Sequence, residues 1–178
     1  MKRATMLFLL IIPHAILPAL GWSDTASEKP VYTDSLMVDL VPTIIAAVNG
    51  SVVLDIEAQT AIDRYWSAFF SYETGTIGGR TMFDLEMGPQ VRPWGGYLTG
   101  AWVGLYPGVG SFSTLTETDW IAGLSADVGW EWIFDPGLIL GLSAGASWYS
   151  GSTSLSGLLA SASVHIGYGF SAPSLHGK

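Results

Sequence analysis

Few side chains in this sequence are equipped for chemistry, and the most suggestive are Ser163 and His165. They stand two residues apart in Ser161-Ala162-Ser163-Val164-His165, a spacing that puts both on one face of an extended strand. Carboxylates elsewhere in the chain, at Asp55, Glu57, Asp84, Glu86, Asp127 and Glu131, are available to orient an imidazole. Hydroxyl, imidazole and acid are the groups of nucleophilic acyl transfer. That chemistry also calls for a nucleophile elbow or a recognisable oxyanion hole, and the sequence offers neither. No catalytic residue and no enzymatic activity are therefore expected. His14 falls in the N-terminal leader and His176 in the C-terminal tail, and there is no cysteine, so neither a histidine cluster nor a thiolate set predicts a bound metal. Gly78-Gly79 and Gly108-Val109-Gly110 precede no helical pattern and read as turn glycines, not as a phosphate cradle. No cofactor is implied.

The elements that position these groups are strands. In residues 120–132, Trp120, Ala122, Leu124, Ala126, Val128, Trp130 and Trp132 alternate with Gly123, Ser125, Asp127, Gly129 and Glu131. A period of two places these sets on opposite faces, one apolar and one polar. The same pattern recurs around Leu138–Tyr149 and Ala160–Phe170. It recurs again in 80–92, where Phe83, Leu85, Met87 and Val91 oppose Arg80, Asp84, Glu86, Gln90 and Arg92, and in 52–60, where Val52, Leu54 and Ile56 oppose Asp55, Glu57 and Gln59. Three weaker segments, 36–46, 65–73 and 97–106, bring the total to eight. The fold class predicted is all-β, an eight-stranded antiparallel up-and-down transmembrane β-barrel spanning 36–170.

Composition agrees. Hydrophobic residues make up 49% of the 178 and charged residues only 12%, too apolar for disorder and poor in polar surface for a soluble domain. The formal charge of −8, with basic residues after Lys2-Arg3 scattered singly, excludes a nucleic-acid surface. Residues 1–21 open with Met1-Lys2-Arg3, run apolar from Met6 to Leu17 and end on Ala19-Leu20-Gly21, the grammar of a cleavable signal peptide. Residues 22–35 read as a flexible lead-in and 171–178 as a tail.

Connections and aromatics set an expected orientation. Ile62-Asp63-Arg64, Pro93-Trp94-Gly95-Gly96 and Asp135-Pro136-Gly137 read as tight turns at one end. Thr74–Gly79, Pro107–Thr118 and Ser150–Gly157 read as longer loops at the other. Asn49-Gly50 is a type I′ hairpin signal. Tyr65, Trp66, Trp94, Tyr97, Trp130, Trp132, Tyr168 and Phe170 fall near the tight-turn rim, and Tyr72, Tyr106, Trp120, Trp148 and Tyr149 near the opposite one. Paired aromatic girdles are what two membrane interfaces select.

On these grounds the chain from about Leu36 to Phe170 resembles the small eight-stranded outer-membrane barrels of the OmpA, OmpX and OmpW type. Its last strand ends His165-Ile166-Gly167-Tyr168-Gly169-Phe170, which looks like the terminal aromatic signal read by outer-membrane assembly machinery, although eight residues follow it. The resemblance implies a monomer in the cell outer membrane with lipid and that machinery as partners, and a structural, narrow-pore or surface-interaction role. The Pro107–Thr118 loop is the place for an external ligand. Asp55, Glu57, Asp84, Glu86, Arg92, Asp127, Glu131 and His165 then form a polar network in the lumen, with Arg92–Glu131 and Glu73–Arg80 as candidate ion pairs. The competing reading is a secreted soluble lipocalin-like barrel that inverts the faces and holds a small apolar ligand.

Overall fold

The structure, a computed structural model, describes residues 31–94, 96–151 and 156–171. The proposed signal peptide, most of the lead-in and most of the tail lie outside the described residues. Strands β1 (Asp34–Asp39), β2 (Val52–Ala61), β3 (Trp66–Ile77), β4 (Arg80–Val91), β5 (Gly100–Ser113), β6 (Thr118–Phe134), β7 (Leu138–Gly151) and β8 (Gly157–Phe170) form a closed antiparallel barrel. Each strand pairs with its neighbours in sequence, and β1 closes on β8. The chain is an all-β, eight-stranded up-and-down barrel.

Alternation in the sequence becomes alternation of faces. Along β2, Asp55, Glu57 and Gln59 are buried in the lumen while Val52 and Leu54 point out; on β6 and β8, Val128 and Ile166 remain 56% and 42% exposed. The inside is mainly polar, although Val53, Met82, Trp102 and Ile139 also turn inward, and the outside is apolar.

Residues 36–46 depart from the expectation of a single strand. β1 stops at Asp39, and α1 (Leu40–Val48) follows. Pro42 explains the break: lacking an N–H, it would leave a gap in a ladder, yet it is tolerated in a first helical turn. Asp39 caps that turn by accepting the Val41 N–H at 2.9 Å, and the far end is closed by Asn49 and Gly50. The Gly50 N–H bonds to the Ala47 carbonyl at 3.1 Å with φ +68°, a left-handed stop of the kind that ends helices. Asn49-Gly50 therefore terminates a helix and makes no type I′ hairpin. Because a Cβ at Gly50 would meet nothing, Gly50→Ala is expected to cost only the left-handed backbone penalty, about 1 kcal/mol. A denaturant midpoint series would check this.

Connection lengths also differ from the sequence reading. The ladder of β5 with β6 continues through Ser113 paired with Thr118, so most of Pro107–Thr118 is strand. Only Thr114–Glu117 turns, its tightness set by the Thr114 hydroxyl accepting the Glu117 N–H at 3.1 Å. At the other end the link between β4 and β5 covers 92–99 and buries Leu98 completely. Short and long connections therefore do not sort to opposite ends. Tyr106 and Tyr149 also leave the expected girdle: both lie on inward positions, Tyr106 only 1% exposed.

The barrel is uneven around its circumference. β1 has six residues and β8 fourteen, and their register covers only His165–Phe170. From Gly157 to Val164, β8 has no β1 partner, and α1 packs against both β2 and β8 beside that gap. Residues 158–162 are consecutively exposed, including Leu159, which is inward by parity. The closing seam is where the wall has the fewest strand-to-strand bonds.

Candidate functional site

At the end that carries Asp34 and Phe170, the lumen is filled by a hydrogen-bonded plug. Arg92, fully buried, donates through Nη2 to Gln59 Oε1 at 2.9 Å and pairs with Glu131 Oε2 at 2.8 Å. Gln59 Nε2 donates to Glu131 Oε1 at 2.6 Å. Gln90 continues the network, accepting from Ser67 at 3.1 Å and donating to the Tyr106 hydroxyl at 2.9 Å. Residues of β2, β3, β5, β6 and the end of β4 thus converge, and Phe69 stacks on Tyr106 at 4.4 Å above them. Eight strands leave an interior about as wide as its side chains, so this cluster closes that end.

Beyond the plug lies a cavity of about 330 Å³ with acidic walls. Glu86 accepts from Ser125 at 2.5 Å, and Tyr149 donates to Asp84 and Glu86 at 3.4 Å each. Asp55 accepts from Ser71 at 2.7 Å and Asp127 from Ser161 at 3.2 Å. Its lining includes Val41, Pro42 and Ile45 of α1 and Ala160, Ser161, Ala162 and Ser163 of β8. Both faces of β8 are represented in that run, so the cavity wraps the free strand edge at the seam.

The network expected from sequence is therefore split in two. Arg92 and Glu131 belong to the plug; Asp55, Glu57, Asp84, Glu86, Asp127 and His165 line the cavity. Arg80 does not meet Glu73: it lies 3.4 Å from Asp119 at the open rim, while Glu73 joins the cavity wall. Ser163 is not the hydroxyl that faces the imidazole, because His165 Nε2 sits 3.0 Å from Ser143 of the neighbouring strand β7. Sequence reasoning did not single out Glu73, Phe69 and Trp102 as lining residues, although inward parity marks all three, as it marks Ser143. Cross-strand register, which brings Ser143 opposite Ser163, has no signature in a single segment.

The chain matches no family model, no curated protein and no solved structure.

Proposed function

We propose that this chain is an integral barrel of an outer membrane, of the general kind seen in OmpA, OmpX and OmpW, reached by way of a cleaved signal peptide. The observation that carries the reading is the distribution of side chains across the wall. Leu, Val, Ile and aromatic residues stand exposed on the outside of β2, β3 and β5 to β8, with Met87 exposed on β4, while Asp55, Glu57, Asp84 and Glu131 are buried inside. Soluble monomers rarely leave a continuous apolar surface beyond a few hundred Å², whereas lipid requires one. Trp66, Trp94 and Tyr168 near one rim and Trp120 and Trp148 toward the other are exposed, as interfacial aromatics are. All nine residues of α1 are uncharged, and Ile44 and Val48 are exposed. A soluble carrier of apolar ligands would instead turn its apolar face inward.

Within that membrane the barrel is a non-catalytic monomer. Its plugged lumen makes it a structural element with a one-ended acidic pocket suited to cationic groups, not a conduit. The full chain refolded into detergent is expected to migrate faster on an SDS gel unboiled than boiled, and to add negligible conductance to a planar lipid bilayer. A well-folded monomer in detergent-free buffer with no mobility shift would overturn the membrane assignment. Steady single-channel steps would overturn the sealed lumen.

A further inference from the structure

Three side chains at the closing seam form a group that the plug and the acidic wall do not explain. Asp39 is the last residue of β1 and pairs in register with Asp55 on one side and His165 on the other; Glu57 is the next inward residue along β2. Asp39, Glu57 and His165 are 3%, 5% and 4% exposed, and one potential ligand atom from each lies within 4.8 Å of the other two. His165 Nδ1 and Glu57 Oε2 form an ion pair 2.7 Å apart, whose angle falls outside hydrogen-bond geometry. The other positions are already held. Ser143 fixes His165 Nε2 at 3.0 Å, and Asp39 Oδ1 accepts the N–H groups of Val41 and Val164 at 2.9 and 3.3 Å.

We propose that Asp39, Glu57 and His165 form a site for a divalent first-row transition cation such as Zn²⁺, which clamps β1, β2 and β8 together at the seam. That ion pair takes two buried groups out of water without a well-directed hydrogen bond, which repays their desolvation incompletely. A cation between them, reached by small side-chain rotations, satisfies both. One imidazole and two carboxylates are a donor set for zinc and its neighbours; calcium and magnesium favour all-oxygen shells. Ser143 on the far ring nitrogen is the outer hydrogen bond that metal-binding histidines carry. All three ligands border the cavity, which gives the ion a path in and leaves a coordination position for water. The clamp also reaches α1, because Asp39 is its cap, and the Val164 N–H held by Asp39 belongs to the part of β8 that pairs with β7 but has no β1 partner. A hydroxyl–imidazole–carboxylate relay is the other use of Ser143, His165 and Glu57. It needs a well-directed bond from Nδ1 to Glu57, and the 2.7 Å contact is off-line.

The test is zinc binding by the full chain, refolded metal-free in mild detergent and followed by equilibrium dialysis with metal quantification. About one equivalent is expected, lost in His165→Ala, weakened about tenfold in Ser143→Ala and unchanged in Asp84→Asn/Glu86→Gln. Zinc should also raise the temperature at which the unboiled gel form is lost, in wild type and not in His165→Ala. Binding that survives His165→Ala, or that disappears with Asp84 and Glu86, would assign the metal to the acidic wall and overturn the site. Should His165→Ala not fold, X-ray absorption of the wild-type zinc form decides: imidazole scattering supports the clamp, and an all-oxygen shell sinks it.

Discussion

Arg92→Met is expected to destabilise the folded barrel by about 3–5 kcal/mol, the cost of leaving a buried charge without its partner. The guanidinium is fully buried and reaches Gln59, Gln90 and Glu131 through one nitrogen. Its Nε and Nη1 have no hydrogen-bond partner, so the group is already incompletely satisfied, and its value lies in what it does for Glu131. Without Arg92, Glu131 keeps Gln59 Nε2 on Oε1 and loses the cation on Oε2. A methionine occupies similar volume, so little of the loss comes from a cavity. The double variant Arg92→Met/Glu131→Leu removes both charges and is expected to recover most of the stability, because apolar replacements of a buried pair are often neutral. Urea unfolding from detergent, read by tryptophan fluorescence, measures both. A single variant within about 1 kcal/mol of wild type would mean that water reaches Glu131 and that the plug is not closed.

The fold was legible where one physical rule dominates. Strands β2, β4, β6, β7 and β8 separate apolar from polar at every second residue, and a one-residue slip would send Asp55, Glu57 or Asp127 outside. Arg92–Glu131 was legible from depth alone, since both sit near the same end of inward-facing runs. What escaped reading falls where two rules compete. Leu40–Val48 is apolar except for Thr43, so no period distinguishes strand from helix. The deciding signs are the Asp39 cap, Pro42 in the first turn and Asn49-Gly50 at the end, and the last is ambiguous because the same dipeptide serves hairpins and helix ends. Pro107–Ser113 looked like a loop through its Pro, Gly and Ser content. In the barrel those glycines face the lumen beside large neighbours: a Cβ at Gly108 would crowd Glu86 and one at Gly110 would crowd Asp84. The seam group was invisible because Asp39, Glu57 and His165 are brought together by closure of the last strand on the first.

Small residues beside large ones make the strongest remaining demand on this sequence, and Gly104→Val is expected to show it. The Tyr106 ring lies back across Gly104, so that a Cβ there would overlap the phenol ring and its hydroxyl. The same arrangement holds next door, where the Trp102 indole lies 2.5 Å from where a Gly129 Cβ would be. Tyr106 cannot swing away freely: it stacks on Phe69 and accepts from Gln90, which joins the Arg92 cluster. Valine at 104 must therefore displace the ring, opening the contact with Phe69 and leaving Gln90 Nε2 unpaired. Overpacking of a close-packed interior combined with a lost buried hydrogen bond amounts to about 3 kcal/mol. Global strain and this local clash separate in a double-mutant cycle. If the clash is the cause, Gly104→Val/Tyr106→Ala will be scarcely less stable than Tyr106→Ala alone, because the ring that valine strikes is gone. Additive losses would place the demand at Gly104 in the β4–β5 backbone instead. Loss of the aromatic layer without loss of the barrel would in turn separate the plug from closure of the wall, since the ladders of β5 with β4 and β6 do not depend on where Tyr106 points.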